Sequence, residues 1–132
     1  MVTIEEAEDI LESVAENLPP EFYKELNGGI LLLPDVKISK QPWGENLYTL
    51  GEYIVSSSMG KYIAIYYGSF EYVFGDSVSR QMIAEELRKT LLHEFTHHLE
   101  HLAGEKKLEI EDERRLRMYR DRAMLRRIRR DL

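Results

Sequence analysis

Apolar residues recur at helical spacing from Thr3 to Leu18. Ile4, Ala7, Ile10 or Leu11, Val14 and Leu18 make one stripe, while Glu5, Glu8, Asp9, Glu12 and Glu16 fall on the other side. Thr3 and Glu6 have capping-box spacing at its start, and Pro19-Pro20 stops it. Glu21 to Leu26 predicts a short helical turn ended by Asn27-Gly28-Gly29. The pattern then changes to strands. Ile30 to Ile38 opens apolar on both faces, which predicts an internal first strand, with Pro34 limiting its pairing. Ser39 to Asn46 predicts a loop. Its Trp43 is equally suited to lining a cleft or covering a core edge. Leu47 to Ser56, interrupted at Gly51, and Lys61 to Tyr67 predict a hairpin across Ser56-Ser57-Ser58-Met59-Gly60. Phe70 to Phe74 predicts one helical turn, broken by Gly75-Asp76-Ser77.

The longest periodic stretch runs from Ser79 to Gly104. Its apolar stripe passes through Ala84, Leu87, Leu91, Phe95 and Leu102. Gly104 predicts its end in a left-handed cap. A last helix is expected to open in the acidic segment Leu108 to Glu113 and to run through Leu116, Tyr119, Ala123 and Ile128. Acid at its start and base at its end suit the helix dipole. The pattern as a whole predicts an α+β fold in one domain spanning residues 1–132.

Charge is unevenly spread. The net charge is −6, but Arg114 to Leu132 holds nine arginines against Asp121 and Asp131. That segment carries about +7 and the remainder about −13. A basic segment raises a nucleic-acid partner, but a helix docking on an acidic body is the favoured reading here. Cysteine is absent, so a metal must be held by His, Asp, Glu or backbone. The acidic N-terminus lacks the basic and apolar regions of a signal peptide, and no apolar run has membrane-span length. A soluble, cytoplasmic protein is expected.

All four histidines lie between residues 93 and 101. His93-Glu94-Phe95-Thr96-His97-His98 contains H-E-x-x-H, which on a helix stacks His93 and His97 on one face. At ~100° per residue that face lies beside the core stripe, with Glu94 at the border. Two imidazoles in this arrangement can share a Zn²⁺ ion while the carboxylate takes a proton from water, as metal-assisted hydrolysis requires. The bland alternative is a helix with surface histidines and a solvated glutamate. A third ligand is needed, and His101, Glu105, Glu109 and Asp112 are available. His101 is two turns from His93, roughly 12 Å of rise, too far to share one ion easily. Spacing does not decide among the acids.

With these residues in place, the chain resembles the small bacterial minimal-zincin metallopeptidases. The likeness covers Leu18-Pro19-Pro20-Glu21-Phe22, the strand before Pro34-Asp35, Leu50-Gly51-Glu52-Tyr53, Ile63 to Gly68, and Leu91 to His98 with its double histidine. It implies a small mixed sheet of three or four strands packed on the motif helix and an N-terminal helix. A basic C-terminal helix follows at 114–132. It also implies peptide-bond hydrolysis with Zn²⁺ on His93 and His97 and with Glu94 as general base. One departure stands out. The family's spacing puts the third ligand at Lys107, which cannot serve while protonated. A variant branch carries a longer helix and a Leu-Glu-Ile-x-Asp segment like Leu108 to Asp112, which makes Asp112 the implied third ligand, ahead of Glu109 and Glu105. His98, His101, Tyr53, Tyr66 and Tyr67 are candidate oxyanion donors. Two functions of different class follow: a zinc peptidase acting on peptide or protein substrates, or a zincin-fold binding module without efficient catalysis.

Overall fold

In the computed structural model, which describes residues 1–131 and the side chains of residues 1–124, helix α1 covers Ile4–Glu16. Its capping box is formed: Thr3 Oγ1 accepts from the Glu6 backbone N–H, and the Glu6 carboxylate accepts from the Thr3 N–H. Ala7 and Leu11 are its buried residues. A 3-10 turn follows over Pro20–Tyr23.

The expected first strand divides in two: β1 (Gly29–Leu33) and β2 (Lys37–Lys40). Pro34 has no N–H to give to a ladder, and the chain here is pressed against Gly68. A Cβ at Gly68 would lie 2.5 Å from the Pro34 carbonyl oxygen and 2.8 Å from that of Asp35. β2 pairs antiparallel with β3 (Asn46–Thr49) across a turn in which Gln41 N–H donates to the Glu45 carbonyl. Trp43 stands in this turn, 66% exposed, and covers no core edge.

β4 (Gly51–Ser56) and β5 (Gly60–Tyr66) form the expected hairpin, with Gly51 opposite Ile65 and Tyr53 opposite Ile63. β5 is also parallel to β1, Leu31 facing Ala64. The order β1-β5-β4 makes a mixed three-stranded sheet beside the two-stranded β2-β3 sheet. The internal strand is therefore β5, not β1. Its Ile63, Ala64 and Ile65 are fully buried, whereas every β1 residue is half-buried. Ile30 and Leu32 of β1 pack against the core, whereas Leu31 and Leu33 do not, so its apolar run is that of a half-covered edge strand.

α2 (Tyr67–Phe74) follows β5 directly, and α3 covers Arg80–Asp131. Gly104 does not end α3. It lies within the helix, where a Cβ would meet nothing within 4 Å. Glycine costs a helix interior about 1 kcal/mol relative to alanine, and the flanking Leu, Ala, Glu and Lys residues are strong helix formers. The helix expected to begin in the 108–113 segment is thus part of α3. The side chain of Ile128 lies outside the described residues. No described helix is long and apolar enough to cross a membrane.

The chain divides into two compact units, Met1–His98 and a second beginning at Leu99. In the first, Ile83, Leu87, Leu91 and Phe95 of α3 join Ala7 and Leu11 of α1, Ile63 and Ile65 of β5, and Phe70 of α2 in one core. The second is helical throughout as far as Asp131.

Candidate metal centre

The first part of α3 interleaves core and site. Leu91 and Phe95 are fully buried, and Phe95 is held by Phe22 at 5.8 Å and edge-on by Tyr23 at 5.2 Å between ring centroids. With that stripe fixed inward, the helical period brings His93 and His97 to the surface and leaves Glu94 between, 5% exposed. The two imidazole Nε2 atoms are 3.1 Å apart and the rings nearly perpendicular, at 87°. A ligand atom from each of His93, Glu94 and His97 lies within 4.8 Å of the others.

The donor set fits zinc. Two Zn–N bonds of ~2.0–2.1 Å at a tetrahedral angle put their nitrogens roughly 3.3 Å apart. Without a metal, one imidazole N–H donates to the other's lone pair. Burial pushes the Glu94 carboxyl above the usual carboxylate range; His93 and His97 pull it back, and Glu52 pushes it further up.

Glu94 owes its seat to Gly51. A Cβ on Gly51 would lie 2.7 Å from Thr90 Cγ2, 3.2 Å from Ile65 Cδ1 and 3.3 Å from Glu94 Cγ. β4 therefore approaches α3 beside the motif only because residue 51 has no side chain. The sequence shows Gly51 as an interruption within one strand; its closeness to Glu94 follows from a register that periodicity does not reveal. A second group is also new. Lys37 Nζ donates to both Glu52 oxygens at 2.7 and 2.6 Å, and the Tyr66 hydroxyl donates to Glu52 at 3.2 Å.

His98 is fully buried and structural. A carbonyl only accepts, so His98 Nε2–H donates to Lys24 O at 2.8 Å, leaving Nδ1 to accept from the Tyr53 hydroxyl at 2.7 Å. The other candidate donors are engaged as well. Tyr67 donates to Val2 O, Tyr66 to Glu52, and His101 pairs with Glu105 at 2.6 Å. Glu105, Glu109 and Asp112, the acids available as a third ligand, all follow Gly104 in the helical second unit. Glu109 and Asp112 are exposed on the helical second unit, and neither belongs to the group of converging ligand atoms among the described residues.

A search of protein-family models finds no match to the chain, and a search of curated proteins finds none. Among solved structures, a conserved hypothetical protein from Thermus thermophilus matches with a TM-score of 0.63 and 35% identity. The match covers 78% of this chain and 99% of that one. At that identity and coverage, the chain belongs to the same family as this conserved hypothetical protein.

Proposed function

We propose that the protein is a zinc-dependent peptidase in which His93 and His97 hold the metal and Glu94 is the general base. The observation that carries this reading is the pair of Nε2 atoms 3.1 Å apart beside a buried carboxylate. When bound, zinc supplies Lewis acidity that lowers the pKa of water and polarises a carbonyl. His93 and His97 would hold it as neutral imidazoles through Nε2, the ring that otherwise donates moving its proton to Nδ1. Glu94 takes a proton from the attacking water and delivers it to the departing amine. β4, an edge strand lying against α3 beside Glu94, offers backbone groups to an extended peptide. The third ligand implied by the resemblance is Asp112. A cytoplasmic location goes with this reading.

The test is metal content and peptide hydrolysis in parallel. The expected result is about one zinc per chain, lost in His93→Ala and kept in Glu94→Gln, whose hydrolysis is abolished. Asp112→Ala and Glu109→Ala identify the acid that contributes. Failure to take up zinc on adding it back sinks the proposal, as does full activity of Glu94→Gln. The second reading, a zincin-fold binding module without efficient catalysis, is motivated by Lys107 at the position of the family's third ligand and by the arginine-rich segment. That reading predicts zinc-free protein that binds a protein or RNA partner through its arginine-rich segment, with RNA affinity falling steeply as salt rises.

A further inference from the structure

α1 and β1 enclose a groove of about 420 Å³ far in sequence from the histidines. Its floor is apolar: Ile4, Leu11 and Ala15 of α1, and Ile30 to Leu33 of β1. Its rim is acidic, with Glu5, Glu8 and Glu12 all exposed. Among the described residues no cation pairs with any of the three. β1 is paired with β5 on one edge only; on its other edge the Gly29 N–H donates to Leu26 O at 3.1 Å, and among the described residues no further backbone–backbone bond reaches Ile30 to Leu33 from that side.

We propose that this groove receives an extended, basic segment of a partner protein, which adds as a strand to the free edge of β1 beneath the acidic face of α1. Strand addition explains an apolar, half-buried strand left at a sheet edge, where natural proteins ordinarily place charge or cover. The spacing agrees. Glu8 and Glu12 are one helical turn apart, ~6 Å of rise, and same-face residues of a strand recur every ~6.7 Å. Lys or Arg at alternate positions of the incoming strand therefore meets successive glutamates, with apolar residues between them facing the floor. A second copy is a poor occupant, because pairing β1 with β1 brings two acidic rims together. The site is independent of the chemistry at His93 and His97.

The probe is a fluorescent eight-residue peptide of alternating arginine and valine, titrated into the full chain by anisotropy. The combined variant Glu5→Gln, Glu8→Gln, Glu12→Gln changes only exposed side chains and is expected to weaken binding roughly tenfold. Peptide N-methylated at alternate amides keeps its charge but cannot pair, and is expected to lose binding. Hydrogen exchange is expected to slow at residues 29–33 in the presence of the unmodified peptide. Equal affinity for the triple variant, indifference to N-methylation, or protection confined to 51–56 overturns the proposal. So does self-association of the peptide-free protein that the triple variant abolishes, which assigns the groove to a second copy.

Discussion

Gly51 connects the sheet to the chemistry through an absence. Its missing side chain lets β4 reach Thr90 and Glu94, so Gly51→Ala must push either strand or helix aside. Overpacking of this kind costs about 1–3 kcal/mol. Denaturant unfolding is expected to show that loss, and the displaced Glu94 carboxylate is expected to lower peptide hydrolysis more than zinc content. Gly104→Ala serves as the opposite control. It sits in open helix, so the same substitution there is expected to stabilise by up to about 1 kcal/mol. His93, Glu94 and His97 were legible from spacing alone, because a helix makes i and i+4 neighbours whatever surrounds it. His98 was not. Nothing in H-E-x-x-H-H says that the last histidine turns inward to bond Lys24 O and Tyr53, since that depends on which stripe the core selects.

At the scale of elements, the β2-β3 hairpin is tied to its neighbours at Lys37. The Lys37 N–H donates to Ser69 Oγ at 2.9 Å, and its ammonium pairs with Glu52 at 2.6 Å. The Glu52 hydrogen bond holds the Lys37 pKa above its ordinary value, against the opposing effect of desolvation. A lysine raised on folding stabilises fully below its unfolded pKa and loses that contribution as pH climbs through the folded one. Both side chains are partly exposed, so the pair is worth about 0.5–1 kcal/mol after solvent screening. Lys37→Met is expected to lower the midpoint of thermal unfolding slightly at neutral pH, less in high salt, and not at all in strong alkali. Calorimetry across pH checks this. The elements themselves were legible where local chemistry decides them: the Thr3–Glu6 cap, the break near Gly51, the hairpin into β5. The edge position of β1 was not, because an apolar run says nothing of how many neighbours a strand has, and its Leu31 and Leu33 lie off the core. Gly104 misled for a similar reason. Glycine permits a helix to stop but does not compel it, and no proline follows Gly104 in the sequence.

Over the whole molecule, every buried apolar residue among those described lies within Met1–His98. That unit carries its own core, and the charge split falls outside it. Limited proteolysis confined to the 105–124 segment is therefore expected to leave the cooperative melting of the first unit in place, followed by circular dichroism. Loss of that transition on cleavage would show that residues beyond His98 are needed for the core. The α+β class was readable from the order of periodic stretches. The division into two units was not, since no composition change marks residue 99 within an unbroken helix.

Phe95 lies between His93 and His97 in sequence and against Phe22 and Tyr23 in space. The backbone that presents the imidazoles is thus the backbone that closes the core. Such a segment is expected to open with the core rather than alone, its amides exchanging with solvent as slowly as those of Ile63 and Leu91. The histidines then share the lifetime of the fold itself, and a cell wishing to silence them would have to block their approach, because it could not loosen them alone.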